Sequence, residues 1–193
     1  MGSDQIYLHI RVVLAIVLGL SITKLLNGIA LLIERRDSWS PLHVSWVLWA
    51  LISVVTFWWW EFRLSVVPNW TFSSYLFIIS YCSLYFVLSA LTFPENVEKY
   101  GGYENYLIER RHWFFGLIAL ITLMDLVDTS LKGAERWDAL GIAYPIKTGV
   151  MLVIAGTGMA LVNKRAHLAL ALLALIYLTG YFTIQYFNVT VLG

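Results

Sequence analysis

Five polar residues stand inside stretches that are otherwise apolar. They are Lys24 and Asn27 in LGLSITKLLNG, Asp125 and Asp128 in LITLMDLVDTSL, and Lys147 in GIAYPIKTGV. A carboxylate in hydrocarbon surroundings is a protonatable or cation-binding group, and an amine at its depth is a countercharge that competes with the proton or cation. With a rise of ~1.5 Å per residue, Asp125 and Lys147 each stand roughly 6 Å from the middle of their stretches, in the same half. They form the first-choice pair. Asp128 lies one helical turn further out on the same face, and Lys132 can complete an i, i+4 pair with it. Lys24 has Ser21 and Asn27 at i−3 and i+3, so its helix carries a polar stripe: it either faces a polar cavity or snorkels toward headgroups.

Two other constellations match by depth. Arg11 and Glu61 both sit near the ends of their stretches and are expected to pair as a structural staple between the first two helices. His43, His112 and His167 begin alternate stretches at one common level. Equal depth is necessary for a shared metal or haem site, but no HxxxH or ExxH spacing supports one, and interfacial histidines are the simpler reading. No cofactor is expected. The lone cysteine, Cys82, lies within a stretch and reads as a packing residue.

The elements that must position these residues are six apolar runs: 8–33, 42–62, 71–93, 112–131, 141–162 and 166–187. Each approaches or exceeds the ~20 residues a helix needs to cross a bilayer core. The chain is 60% hydrophobic and only 13% charged, well below the ~25% charged of a soluble domain. The expected fold is all-α: a single polytopic domain of 1–193 with six transmembrane helices, its principal partner the lipid bilayer. A net charge of +1 gives no footprint for nucleic acid.

Orientation follows from the joints. Arg35, Arg36, Lys99, Arg110, Arg111, Lys164 and Arg165 fall on one side, against Arg11, Arg63, Lys132 and Arg136 on the other. The basic excess places the odd-numbered joints in the cytoplasm and both termini outside. Trp39, Trp70, Trp113, Trp137 and the run Trp58-Trp59-Trp60 mark span ends as an interfacial belt. Pro41 opens the second run and Pro68 lies in a joint. Pro145 falls a turn inside the fifth run, where it is expected to leave a carbonyl unpaired and can kink the helix.

Sliding the chain by 101 residues lays Glu34-Arg35-Arg36-Asp37 on Glu135-Arg136-Trp137-Asp138. A 3+3 inverted repeat, with halves 1–93 and 110–193, is one reading of this match, and chance similarity is the other. Gly156 and Ala160 make a small-xxx-small pair, and Gly19, Gly28 and Gly180 permit close helix approach, within a bundle or between the copies of a homo-oligomer. The joint 94–111 is broken at Gly101-Gly102 and can continue as a short interfacial helix, most simply a solvated connector.

The runs LGLSITKLLNGIALLIE, FWWWEF, WTFSSYLF and RRHWFFGL resemble those of a family of small bacterial membrane proteins to which no activity is assigned. The resemblance covers most of residues 10–120. It implies a six-helix bundle in the bacterial inner membrane and carries no functional residue across.

The functional classes left open are a transporter or channel for a small solute or ion, a non-catalytic membrane subunit, sensor or scaffold, and a membrane redox, haem or metal enzyme built on the histidines. In the first, Lys24, Asn27, Asp125, Asp128 and Lys147 line a pathway between the first, fourth and fifth spans.

Overall fold

The computed structural model describes residues 3–34, 39–67 and 70–190, and among them the chain is helical with no strand. Eight α-helices follow in order: α1 (Ser3–Glu34), α2 (Pro41–Trp60), α3 (Phe72–Thr92), α4 (Tyr103–Glu109), α5 (Arg111–Leu131), α6 (Ala134–Leu140), α7 (Ala143–Ala160) and α8 (Lys164–Thr190). Their starts are legible locally. Ser40 caps α2 by accepting the His43 N–H at 3.4 Å, and Pro41 takes the first helical position, where a missing N–H costs nothing. Thr71 caps α3 in the same way, at 3.1 Å from the Ser74 nitrogen. Arg35, Arg36, Asp37 and Pro68 lie outside the described residues, and with them part of the charge count and of the repeated motif.

Five helical segments are each long and apolar enough to cross a membrane: Ile6–Glu34, Pro41–Ser65, Phe72–Thr92, Arg111–Leu131 and Lys164–Gln185. The chain is built as an integral membrane protein. A sixth candidate span is broken. α6 and α7 pass the same test only together, and they are bent by 81°. The bend sits on Gly141, whose φ of 57° lies where a side chain would be strained. Pro145 therefore does not kink a span from within. It is the third residue of α7, in the turn whose N–H groups have no helical partner, and the Gly141 carbonyl accepts from Tyr144 N at 3.3 Å instead.

The long helices close a ring: α1 lies along α3, α3 along α5, α5 along α7, α7 against α8, α8 along α2, and α2 against α1. The halves 1–93 and 110–193 are not packed alike. In the first the tightest pair is the first and third helices, α1 and α3. In the second it is the first and second, α5 and α7, while α8 leans on α2. Close approach is made by glycines. A methyl on Gly28 would collide with the Phe93 ring, and one on Gly158 with the Phe115 ring. Gly19, Gly156 and Gly180 have open space where a Cβ would stand, so they do not seat a helix within the bundle.

Two ends of the bundle can be told apart by their contacts. At the terminal end, Tyr7 of α1 donates to the Phe62 carbonyl at 3.0 Å, and Trp60 meets Phe182 of α8. At the opposite end α4 is more than a connector. Tyr103 and Tyr106 are buried, Tyr103 stacks on His43 at 4.0 Å, and Glu104 accepts from Ser40 at 2.6 Å. Arg111 holds the end of α7 by donating to the Met159 carbonyl at 3.0 Å. Between the ends, Trp46, Phe114 and Phe115 pack edge to face at 5.2–5.3 Å, all but fully buried, and form an aromatic floor.

Candidate functional site: a polar cavity at the terminal end

Above that floor the bundle interior turns polar. Helical periodicity puts Asp125, Asp128 and Thr129 on one face of α5, and Lys132 follows where the helix ends. The turn that continues α2 contributes Glu61, α6 contributes Arg136, and α7 contributes Tyr144 and Lys147. These groups line one cavity of about 80 Å³, completed by Tyr81 and Tyr85 of α3 and Tyr181 of α8. At ~30 Å³ per water this is room for two or three waters or one small solute.

Lys132 is its centre. The Nζ atom donates to Glu61 Oε1 at 2.9 Å and to Asp128 Oδ2 at 2.6 Å, and all three side chains are at most 5% exposed. One cation thus answers two carboxylates. Lys147 donates to Asp125 Oδ2 at 2.6 Å, in a pair that keeps 15% and 25% exposure and marks where the cavity approaches the surface. The backbone beneath is tied in as well. Thr129 donates to the Tyr144 hydroxyl at 2.8 Å, which donates in turn to the Asp125 carbonyl at 2.9 Å. The Tyr81 hydroxyl reaches Asp125 Oδ1 only at 3.5 Å, the outer limit of a hydrogen bond.

The cavity is not satisfied by its own walls. Glu61 Oε2, Asp128 Oδ1, Arg136 Nε, Ser53 Oγ and Trp49 Nε1 are buried atoms without a hydrogen-bond partner among the described residues, and all belong to residues that line it. Buried polar atoms are nearly always paired, by protein or by ordered water. Orphans of both kinds, acceptors and donors, facing one small space describe a site for a polar occupant.

Of the residues singled out by sequence, Asp125, Asp128 and Lys147 meet here. Lys24 and Asn27 do not. The buried face of α1 runs through Ile10, Leu14, Leu18, Ser21, Leu25 and Leu32; Lys24 flanks that face and Asn27 is exposed, so the first span contributes nothing to the cavity. Ser21, which is buried, spends its hydroxyl on the Val17 carbonyl of its own helix.

The Arg11–Glu61 staple is also replaced. Arg11 adjoins the buried Ile10 but points outward and lies 5.6 Å from the Tyr7 ring centroid, and Glu61 takes Lys132. Depth along two helices says nothing about azimuth, and azimuth decided both outcomes.

The histidines are separated. His43 is buried and donates from Nε2 to the Thr92 carbonyl at 2.8 Å, His167 donates from Nε2 to the Leu161 carbonyl at 3.0 Å, and His112 is exposed. No group of three His, Cys, Asp or Glu able to hold a metal occurs among the described residues.

Sequence reasoning missed Glu61 and Lys132 as partners, and Arg136 as a site residue. Arg136 reads as a loop charge in AERWD. The one available signal was its neighbour Trp137 and the Trp60 run, since an arginine near a span end with aromatics can turn inward over a ring. Compared with family models, curated proteins and solved structures, the chain matches none.

Proposed function

We propose that the protein moves a proton, or a small cation or polar solute coupled to one, through the cavity that Glu61, Asp125, Asp128, Lys132 and Lys147 enclose. The observation that carries this reading is the pair of unpartnered, buried carboxylate oxygens, Glu61 Oε2 and Asp128 Oδ1, facing a space that holds more than one water. A purely structural ion-pair network closes its lone pairs on itself, because each one left open costs desolvation energy. Here the acceptors are left for an occupant. Asp125 is the protonatable group nearest the surface, and Lys147 is the countercharge that a proton or cation displaces from it.

The pathway runs between α2, α5 and α7 rather than through α1. The aromatic floor of Trp46, Phe114 and Phe115 closes the cavity toward the opposite end, so passage requires a second conformation in which the floor opens. The break between α6 and α7 supplies a hinge for it. The same floor favours a second reading, a one-sided sensor or subunit that binds its ligand without passing it on. Our reading also takes the chain as a six-span protein of the bacterial inner membrane with both termini outside and kin to the family it resembles; homo-oligomer formation is compatible with it.

Reconstitution tests this. Proteoliposomes carrying an internal pH dye should show proton flux above protein-free vesicles when a gradient is imposed with sodium or potassium present. Asp125→Asn should reduce that flux by about tenfold or more while the protein still purifies as the same species, as expected for loss of a general proton-transfer group. Flux equal in Asp125→Asn and wild type would remove Asp125 from the mechanism. No flux from the wild type would favour the one-sided reading.

A further inference from the structure

Two arginines at the terminal end, Arg63 and Arg136, have no carboxylate within 4 Å among the described residues, because Lys132 occupies Glu61 and Asp128 and Lys147 occupies Asp125. Arg136 is 8% exposed, lines the cavity, and lies with its guanidinium 4.4 Å from the centroid of the Trp60 ring. Arg63 is half-buried, 5.8 Å from the Phe62 ring centroid. The Nε of each is buried and donates to nothing among the described residues. Arg63 stands one 3-10 turn beyond Trp60, the residue whose ring carries Arg136, so the two like charges share the end of α2, and Arg136 forms no ion pair with Asp125 or Asp128.

A buried guanidinium with unfilled donors is costly, and a second cation beside it raises the cost. The indole face of Trp60 offsets part of the charge but accepts none of the N–H bonds. What is lacking is an oxyanion. Guanidinium presents its donors in a planar fork that matches phosphate or carboxylate geometry, and two such forks at one span end can supply more donors to a tetrahedral anion than one alone. The level is that of lipid headgroups, at the span end marked by Trp58, Trp60 and Phe62.

We infer that Arg63 and Arg136 form a binding site for one phosphate-class oxyanion at the rim of the cavity, supplied by an anionic phospholipid headgroup or by free phosphate. The site shares Arg136 with the lining of the cavity, but its test does not depend on flux through the carboxylates.

Native mass spectrometry of the detergent-purified protein, with phosphatidylglycerol or phosphatidylcholine added, reads the lipid source. Calorimetric titration with inorganic phosphate reads the soluble one. The wild type should retain one phosphatidylglycerol in preference to phosphatidylcholine, or bind one phosphate, and whichever arm responds names the source. Arg136→Gln and Arg63→Gln should each weaken that binding by roughly tenfold or more, and Arg136→Lys, which keeps the charge but loses the fork, should fall between. Arg63 is half-exposed, so Arg63→Gln still reads the site if Arg136→Gln does not fold. Absence of saturable binding in both arms, or glutamine variants that bind as tightly as the wild type, would overturn the assignment. Neither measurement involves flux.

Discussion

Lys132 is the residue on which the interior depends, because it alone among the described residues stands between two buried carboxylates. Removing one partner of a buried ion pair leaves the other charged in a poor solvent for charge, at a cost of about 3–5 kcal/mol. Lys132→Ala should therefore destabilise the protein by at least that much, since it strands Glu61 and Asp128 together. Lys147→Ala strands a single carboxylate in a less buried pair, and should cost less than Lys132→Ala. Thermal unfolding of the two variants in the same detergent checks the contrast; equal losses would mean that the two pairs share one environment. The comparison also shows what could be read from sequence. Asp125–Lys147 and Asp128–Lys132 follow from rise per residue and helical spacing, which are local quantities. Glu61–Lys132 joins residues 71 apart across two helices, and depth arithmetic offered Arg11 equally well. Arg136 looked like an ordinary loop charge, because the adjacent Trp137 was the only hint in AERWD that the segment turns inward.

At the scale of elements, the same division appears. The helices and their caps at Ser40 and Thr71 were legible, because capping and apolar length are written in neighbouring residues. The bend was expected at Pro145, the louder signal, and lies four residues earlier at Gly141, at positive φ. Which glycines seat helices was not legible either. A small-xxx-small spacing marks Gly156, yet Gly156 faces open space, whereas Gly158 two residues later meets the Phe115 ring. The consequence is testable. Gly158→Ala should force α5 and α7 apart and cost about 1–3 kcal/mol by overpacking. Gly156→Ala should be neutral or stabilising by up to about 1 kcal/mol, the helix-propensity gain of alanine. Unfolding midpoints of both variants decide it, and a reversed order would mean that Gly156 makes the contact.

On the scale of the whole molecule, the ring of helices separates two interiors. The opposite half is an aromatic core around Trp46, Phe114 and Phe115, buried and packed ring against ring. The cavity in the terminal half is lined, among the described residues, by three carboxylates, three cations and buried atoms left without partners. Either proposed activity, passage or one-sided binding, requires that water or a solute reach that half. Ser53 offers the most direct probe: its Oγ is one of the unpartnered atoms, it lies roughly 10 Å inward of Trp60, and a thiol is close to a hydroxyl in shape. In a Cys82→Ala background, Ser53→Cys would be exposed to a small, membrane-impermeant methanethiosulfonate applied to each side of the membrane in turn, with Asp138→Cys as the surface control at the terminal end. The account predicts modification of Ser53→Cys from the side that labels Asp138→Cys, slowed or blocked from the other by the aromatic floor. Protection of Ser53→Cys from both sides, with the control labelled, would contradict it and leave the buried charges as internal staples.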